Sequence, residues 1–141
     1  MMKLEILAAA ALVSTICIAA PVKAENPAHV RQVLETGECA GCDLTNANLG
    51  GAHLIGADLR DANLKDANLA AANLEGADLT GANLKGANMT QVFASDASLN
   101  DTNLTGVNFT GAKLYSAELE GATLADANFR GAKLSRANLS R

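Results

Sequence analysis

A chain of 141 residues that is 49% hydrophobic but only 3% aromatic, with no Trp, draws its apolar content from Ala and Leu. That composition argues against an irregular core of mixed large side chains and asks for a period. The formal net charge of −4 argues against a binder of nucleic-acid phosphates, which needs a basic stripe.

Residues 1–24 read as a secretory signal peptide. Lys3 supplies a positive start, Ile6 to Ala20 is an almost unbroken apolar run, and Val22-Lys23-Ala24 fits a small-residue cleavage site. The run is shorter than the ~20 residues that cross a bilayer, and no second hydrophobic stretch appears later in the chain. The mature chain is therefore expected to hold no integral membrane segment, with an uncleaved anchor as the alternative. Ile16 stands before Cys17 where a lipoprotein needs a small residue. Removing residues 1–24 leaves 9 Lys and Arg against 14 Asp and Glu, a net charge of −5. It also leaves Cys39 and Cys42, which an oxidising compartment would bridge as a structural disulfide.

Residues 25–38 predict a capping helix and linker. Asn26-Pro27 is an N-cap and first-turn pair, Val30, Val33 and Leu34 share a helical face, and Thr36-Gly37 ends it. The helix is expected from Pro27 to Glu35, lying over the first coil of the repeat region.

From Leu44 to Leu139 an apolar centre returns every five residues. Of these twenty centres sixteen are Leu, with Met89, Phe109 and Phe129 as conservative replacements and Ala94 as the break. Two residues before each centre lies Ala in sixteen cases, the exceptions being Cys42, Val92, Thr102 and Val107. On an α-helix a step of five scatters the leucines around every face, and on a straight strand it alternates them between two. A short extended segment with Ala and Leu inward, then a corner, satisfies both spacings. Ten of the twelve glycines fall two residues after a centre, where a corner needs them.

Units such as Ala57-Asp58-Leu59, Ala62-Asn63-Leu64 and Ala82-Asn83-Leu84 closely resemble those of pentapeptide-repeat proteins, over about 100 of the 141 residues. The resemblance implies an all-β solenoid over 39–141: a right-handed, quadrilateral β-helix with four repeats per turn. Twenty repeats then make about five coils, roughly 24 Å long at the usual spacing of ~4.8 Å.

Folding four repeats per turn aligns the residue before each centre into columns. One reads Asn48, Asn68, Asn88, Asn108, Asn128 and suits an amide ladder. Another reads Asp58, Asp78, Ser98, Glu118, Asn138, with Glu120 nearby. A third reads His53, Asn73, Phe93, Lys113, Lys133, flanked by Ile55 and Tyr115. Asp58, Asp78, Glu118, Glu120, Phe93, Tyr115, Lys113 and Lys133 are the candidate interaction surface. The break at Val92-Phe93-Ala94 leaves a Leu-sized gap, and a bulge turning Phe93 inward is the favoured way to fill it over an outward, exposed Phe93. Arg130, Lys133, Arg136 and Arg141 crowd the last coil against Asp126. They read as charges that discourage edge pairing, or else as a site for an anionic partner or a stacked copy.

No catalytic constellation emerges, so the protein is not expected to be an enzyme and no cofactor is implied. Cys39-Ala-Gly-Cys42 lacks a thioredoxin-type setting. Zinc would need further ligands where only His29 and His53 are on offer, so no metal is expected. The favoured function is an exported scaffold binding an unidentified protein, as a monomer or an end-stacked homodimer. Its compartment would be a bacterial periplasm, or a thylakoid lumen if the source is cyanobacterial. One alternative comes from the resemblance: some family members mimic DNA and inhibit gyrase, which the acidic column would suit. The other is a redox protein using Cys39 and Cys42.

Overall fold

The computed structural model describes residues 25–141, so the expected signal peptide of residues 1–24 lies outside the described residues. Its architecture follows from the fate of each backbone N–H, since a buried donor must find a partner. In the repeat Ala62–Asp66, Ala62 N donates to Leu59 O at 3.1 Å and closes a tight turn. Asn63 N donates to Cys42 O in the coil before (2.8 Å), while Leu64 N and Asp66 N donate to Asn83 O (2.7 Å) and Lys85 O (2.9 Å) in the coil after. The fifth donor, Lys65 N, points outward and is taken by the Asn63 side chain at 3.3 Å. This is the physical reason for the Asn or Asp that precedes most centres: a short side-chain acceptor reaches the N–H two residues on.

Parallel bridges link each residue before a centre to the one twenty positions later, from Glu38↔Asp58 to Glu118↔Asn138. A coil therefore holds twenty residues, or four repeats. Its corners are the residues two after each centre, and all twenty from Gly41 to Arg136 have positive φ. Ten are glycines at 64–71° and ten are not, at 54–65°. Positive φ at the third position of a turn is the type II signature. Four such corners per coil give four flat sides.

The corners differ in what stands over them. A Cβ added to Gly76 (φ 65°) meets nothing within 4 Å, whereas on Gly81 it collides with the Asp61 carboxylate one coil earlier. Asp66 and Asp101 stand in the same way against Gly86 and Gly121. Gly76→Ala is expected to cost about 1 kcal/mol, the left-handed backbone penalty alone. Gly81→Ala should cost measurably more, and Asp61→Ala should remove the excess. Thermal melts of the two single variants and the Asp61/Gly81 double variant check this.

Inside, every centre from Leu44 to Leu119 is 1% exposed or less, forming one continuous core with the inward alanines. Met89, Phe109 and Phe129 belong to the same column, and the rings of Phe109 and Phe129 stack with centroids 5.0 Å apart at 14°. In the last coil Leu124, Phe129 and Leu134 are half-buried and Leu139 is 42% exposed.

Helix α1 spans Pro27–Thr36, one residue beyond the expected end. Asn26 accepts from Ala28 N (3.1 Å) and His29 N (3.4 Å), and Gly37 terminates the helix at φ 72°. Val33 is 1% exposed and joins the solenoid core, while Val30 packs partly against it. Side chains around α1 reach backbone groups of the first coil that have no earlier coil to bond. His29 Nδ1 accepts from Asp43 N at 2.9 Å, Gln32 Nε2 donates to Glu38 O at 2.7 Å, and Glu25 Oε2 accepts from Asn48 N at 3.2 Å. Among the described residues no helix is long and apolar enough to cross a membrane.

The break at Val92-Phe93-Ala94 differs from the inward-turned bulge favoured by the sequence. Phe93 faces outward, 40% exposed, and keeps both bridges, to Asn73 and to Lys113. Ala94 remains inward at 0% exposure. A bulge would break ladder bonds to the coils on either side, including Leu74 N to Phe93 O at 2.6 Å and Ala94 N to Lys113 O at 2.8 Å. The core carries added volume at other positions, where the buried Val92, Thr102 and Val107 replace alanines and Phe109 replaces a leucine.

Candidate interaction surface

The four sides of the coil carry different chemistry, and the eight candidate residues fall on two adjacent sides. Asp58, Asp78 and Glu118 stand in one column, with Glu120 beside it. Phe93, Lys113 and Lys133 form a column on the neighbouring side, with Tyr115 beside it.

On the acidic side three of the four candidate carboxylates are engaged, those of Asp58, Asp78 and Glu118. Arg60 holds Asp58 through two hydrogen bonds, Nε to Oδ1 at 2.8 Å and Nη2 to Oδ2 at 2.6 Å, and lies 3.9 Å from Asp78. Thr80 donates to Asp78 at 2.6 Å, and Asn100 donates to Glu118 at 3.0 Å. The Arg60 hydrogen bond pulls the Asp58 pKa from 3.8 down to about 2, and Asp58 in turn raises that of Arg60. Because the folded value is depressed, the pair's contribution is full above pH 3.8 and disappears as pH falls through about 2. A carboxyl-carbon NMR titration should give an Asp58 midpoint near 2, returning toward 3.8 in Arg60→Gln.

The aromatic side is organised differently. Lys113 Nζ sits 4.2 Å from the centre of the Phe93 ring, within cation–π reach. Beside this pair Ala71, Gln91 and Gly111 line an open depression of about 470 Å³. Tyr115 is 41% and Ile55 63% exposed. Among the described residues Lys113 and Lys133 form no ion pair.

The asparagine column bonds amide to amide from Asn68 to Asn48 (3.1 Å) and from Asn88 to Asn68 (3.4 Å), but Asn128 turns to Thr110 instead at 3.2 Å. Cys39 and Cys42 point into the first coil, 1% and 5% exposed, with their sulfurs 2.05 Å apart. His29 is occupied by the Asp43 backbone, and no group of three or more His, Cys, Asp or Glu converges among the described residues.

This register of five-residue units on a twenty-residue coil is matched by the family model for pentapeptide repeats. It aligns in eight copies with residues 38–76, 62–101 and 102–141. The chain belongs to the pentapeptide-repeat family. Among solved structures, a pentapeptide repeat protein from Nostoc PCC 7120 is 29% identical, covering 77% of this chain and 75% of its own, with a TM-score of 0.55. A pentapeptide repeat protein from the Arabidopsis thaliana thylakoid lumen is 28% identical over 76% of this chain and 68% of its own, with a TM-score of 0.46. QnrB1, a plasmid-mediated fluoroquinolone resistance protein, is 22% identical over 73% and 55%, with a TM-score of 0.42. Among curated proteins no sequence matches this chain. Seven positions before a centre lack the Asn or Asp whose acceptor the outward N–H uses, and Phe93, Lys113 and Lys133 stand out among them because they follow one another in a single column. The sequence contained this signal, but only once each side chain is assigned to a particular backbone donor.

Proposed function

We propose that this pentapeptide-repeat protein is an exported, non-enzymatic scaffold that binds another protein through the sides of its solenoid. The observation that carries the reading is the outward Phe93 with Lys113 against its ring. At this position the repeat favours Asn or Asp, so an exposed aromatic there gives up a backbone hydrogen bond without burying the ring. Departures from a local rule that bring no folding gain concentrate at functional sites.

In this reading residues 25–38 cap the first coil through α1, and 39–141 make about five right-handed coils. Export rests on residues 1–24, and an oxidised Cys39–Cys42 pair would agree with it. The destination is a periplasm, or a thylakoid lumen in a cyanobacterium. Fractionation of the native source with intact-mass analysis tests it. A chain beginning at Glu25 outside the cytoplasm is expected, and a full-length cytoplasmic chain would overturn export.

The DNA-mimic alternative needs a column of free carboxylates, yet Arg60 neutralises Asp58 and reaches toward Asp78. A gyrase supercoiling assay decides it. The redox alternative needs reachable sulfurs, and thiol labelling of the folded protein after mild reduction decides that one.

A further inference from the structure

On most of the solenoid the outward N–H one residue after each centre is capped by the side chain before that centre, as Asn68 caps Ala70 and Asn108 caps Thr110. On the aromatic side this pairing fails through three successive coils. Phe93, Lys113 and Lys133 carry no acceptor, and the N–H groups of Ser95, Tyr115 and Ser135 have no partner among the described residues; Asn100 and Ala125 lack one singly on the other sides, whereas here the bare donors are consecutive. The same stretch holds the two lysines without ion pairs and the open depression beside Phe93. Cations, bare backbone donors and an apolar ring thus line one strip parallel to the solenoid axis, in a protein that is otherwise net acidic.

We propose that this strip binds an extended acidic peptide segment of a protein partner. Its carboxylates would meet Lys113, Lys133 and the unpaired backbone N–H groups, and an apolar side chain would seat in the depression against Phe93. Charge complementarity selects the occupant: the cations and bare donors of the strip call for a ligand that supplies acceptors and negative charge. A flat side with coils ~4.8 Å apart suits an extended chain laid along it. The inference rests on the scaffold reading and gives it a partner chemistry.

The test is fluorescence anisotropy of the purified protein with a labelled Glu-Glu-Leu-Glu-Glu peptide, beside its Gln-for-Glu counterpart. The decisive variant is Phe93→Asn/Lys113→Asn/Lys133→Asn, which installs the repeat's own preferred residue and re-caps the three donors. It is expected to melt no lower than the parent while losing about tenfold or more in affinity. The control Lys65→Asn/Lys85→Asn removes the same charge from another side and should leave affinity unchanged. Salt should weaken binding to the parent.

Equal binding of the Glu and Gln peptides would overturn the proposal, as would equal loss in the control. Tighter binding of a single-stranded oligonucleotide than of the Glu peptide would replace the peptide with a nucleic acid. Capture of native partners separates this proposal from the scaffold reading. If the triple variant retains the parent's partners, the strip is wrong and the scaffold stands; if the parent captures none, the scaffold reading fails.

Discussion

Phe109→Ala is expected to lower the unfolding free energy by about 3–5 kcal/mol, the range for truncating a fully buried aromatic. Phe109 is 0% exposed and its ring stacks on Phe129 at 5.0 Å. Met89 and Phe129 occupy the same column one coil either side, so truncation opens a void between two coils. The coils cannot settle into that void, because their separation is fixed by ladder bonds such as Met89 N to Asn108 O and Phe109 N to Asn128 O, at 2.9 and 2.7 Å. In a solenoid each coil is stabilised by its neighbours, so the last coil should loosen first. Urea unfolding measures the total, and hydrogen exchange at residues 121–141 should rise before exchange elsewhere. A loss below about 1 kcal/mol would mean that the coils do collapse onto the gap.

Ala94→Leu is expected to destabilise by about 1–3 kcal/mol, although it restores the residue that the repeat prefers. Val92, Thr102 and Val107 are buried at 0–1% exposure where other repeats place Ala, and Phe109 adds a ring in place of a leucine. If these larger side chains take the space left by the missing leucine, a longer side chain at Ala94 comes as overpacking. Combining Ala94→Leu with Val92→Ala should recover most of the loss, and the coupling is read from a double-mutant cycle of melts. A gain in stability from Ala94→Leu alone would show that the gap is real.

The period of five, the inward Ala and Leu and the need for a corner were all legible, because they are properties of single repeats. What escaped the sequence depends on stacking. Ala71, Gln91 and Arg136 hold φ of 57°, 54° and 65° with nothing in their identity to announce it, since the stacked coils impose the corner. Phe93 was expected inward because a gap draws in hydrophobic groups, but the ladder on both sides holds the backbone register more firmly than one side chain can shift it. The alignment of Met89, Phe109 and Phe129 appears only when the chain is wound in twenties. For the candidate surface, the residues and their columns were legible, because four repeats per coil already separate Asp58 from Lys113. The side-chain pairings were not: Arg60 engages Asp58, while Lys113 lies over the Phe93 ring.

The aspartates under the glycine corners bear on how the gene can change length. The carboxylates of Asp66 and Asp101 occupy the space that a Cβ at Gly86 and Gly121, twenty positions on, would need. Losing one pentapeptide between Asp66 and Gly86 would bring Gln91 over Asp66, and losing one between Asp101 and Gly121 would bring Asp126 over Asp101. Either deletion would also turn every later side chain through a quarter of the circumference, and the second, which falls inside the strip, would part Phe93 from Lys133. Tolerated duplications and losses should therefore come in steps of twenty codons, so that heredity in this molecule counts coils although its sequence is written in fives.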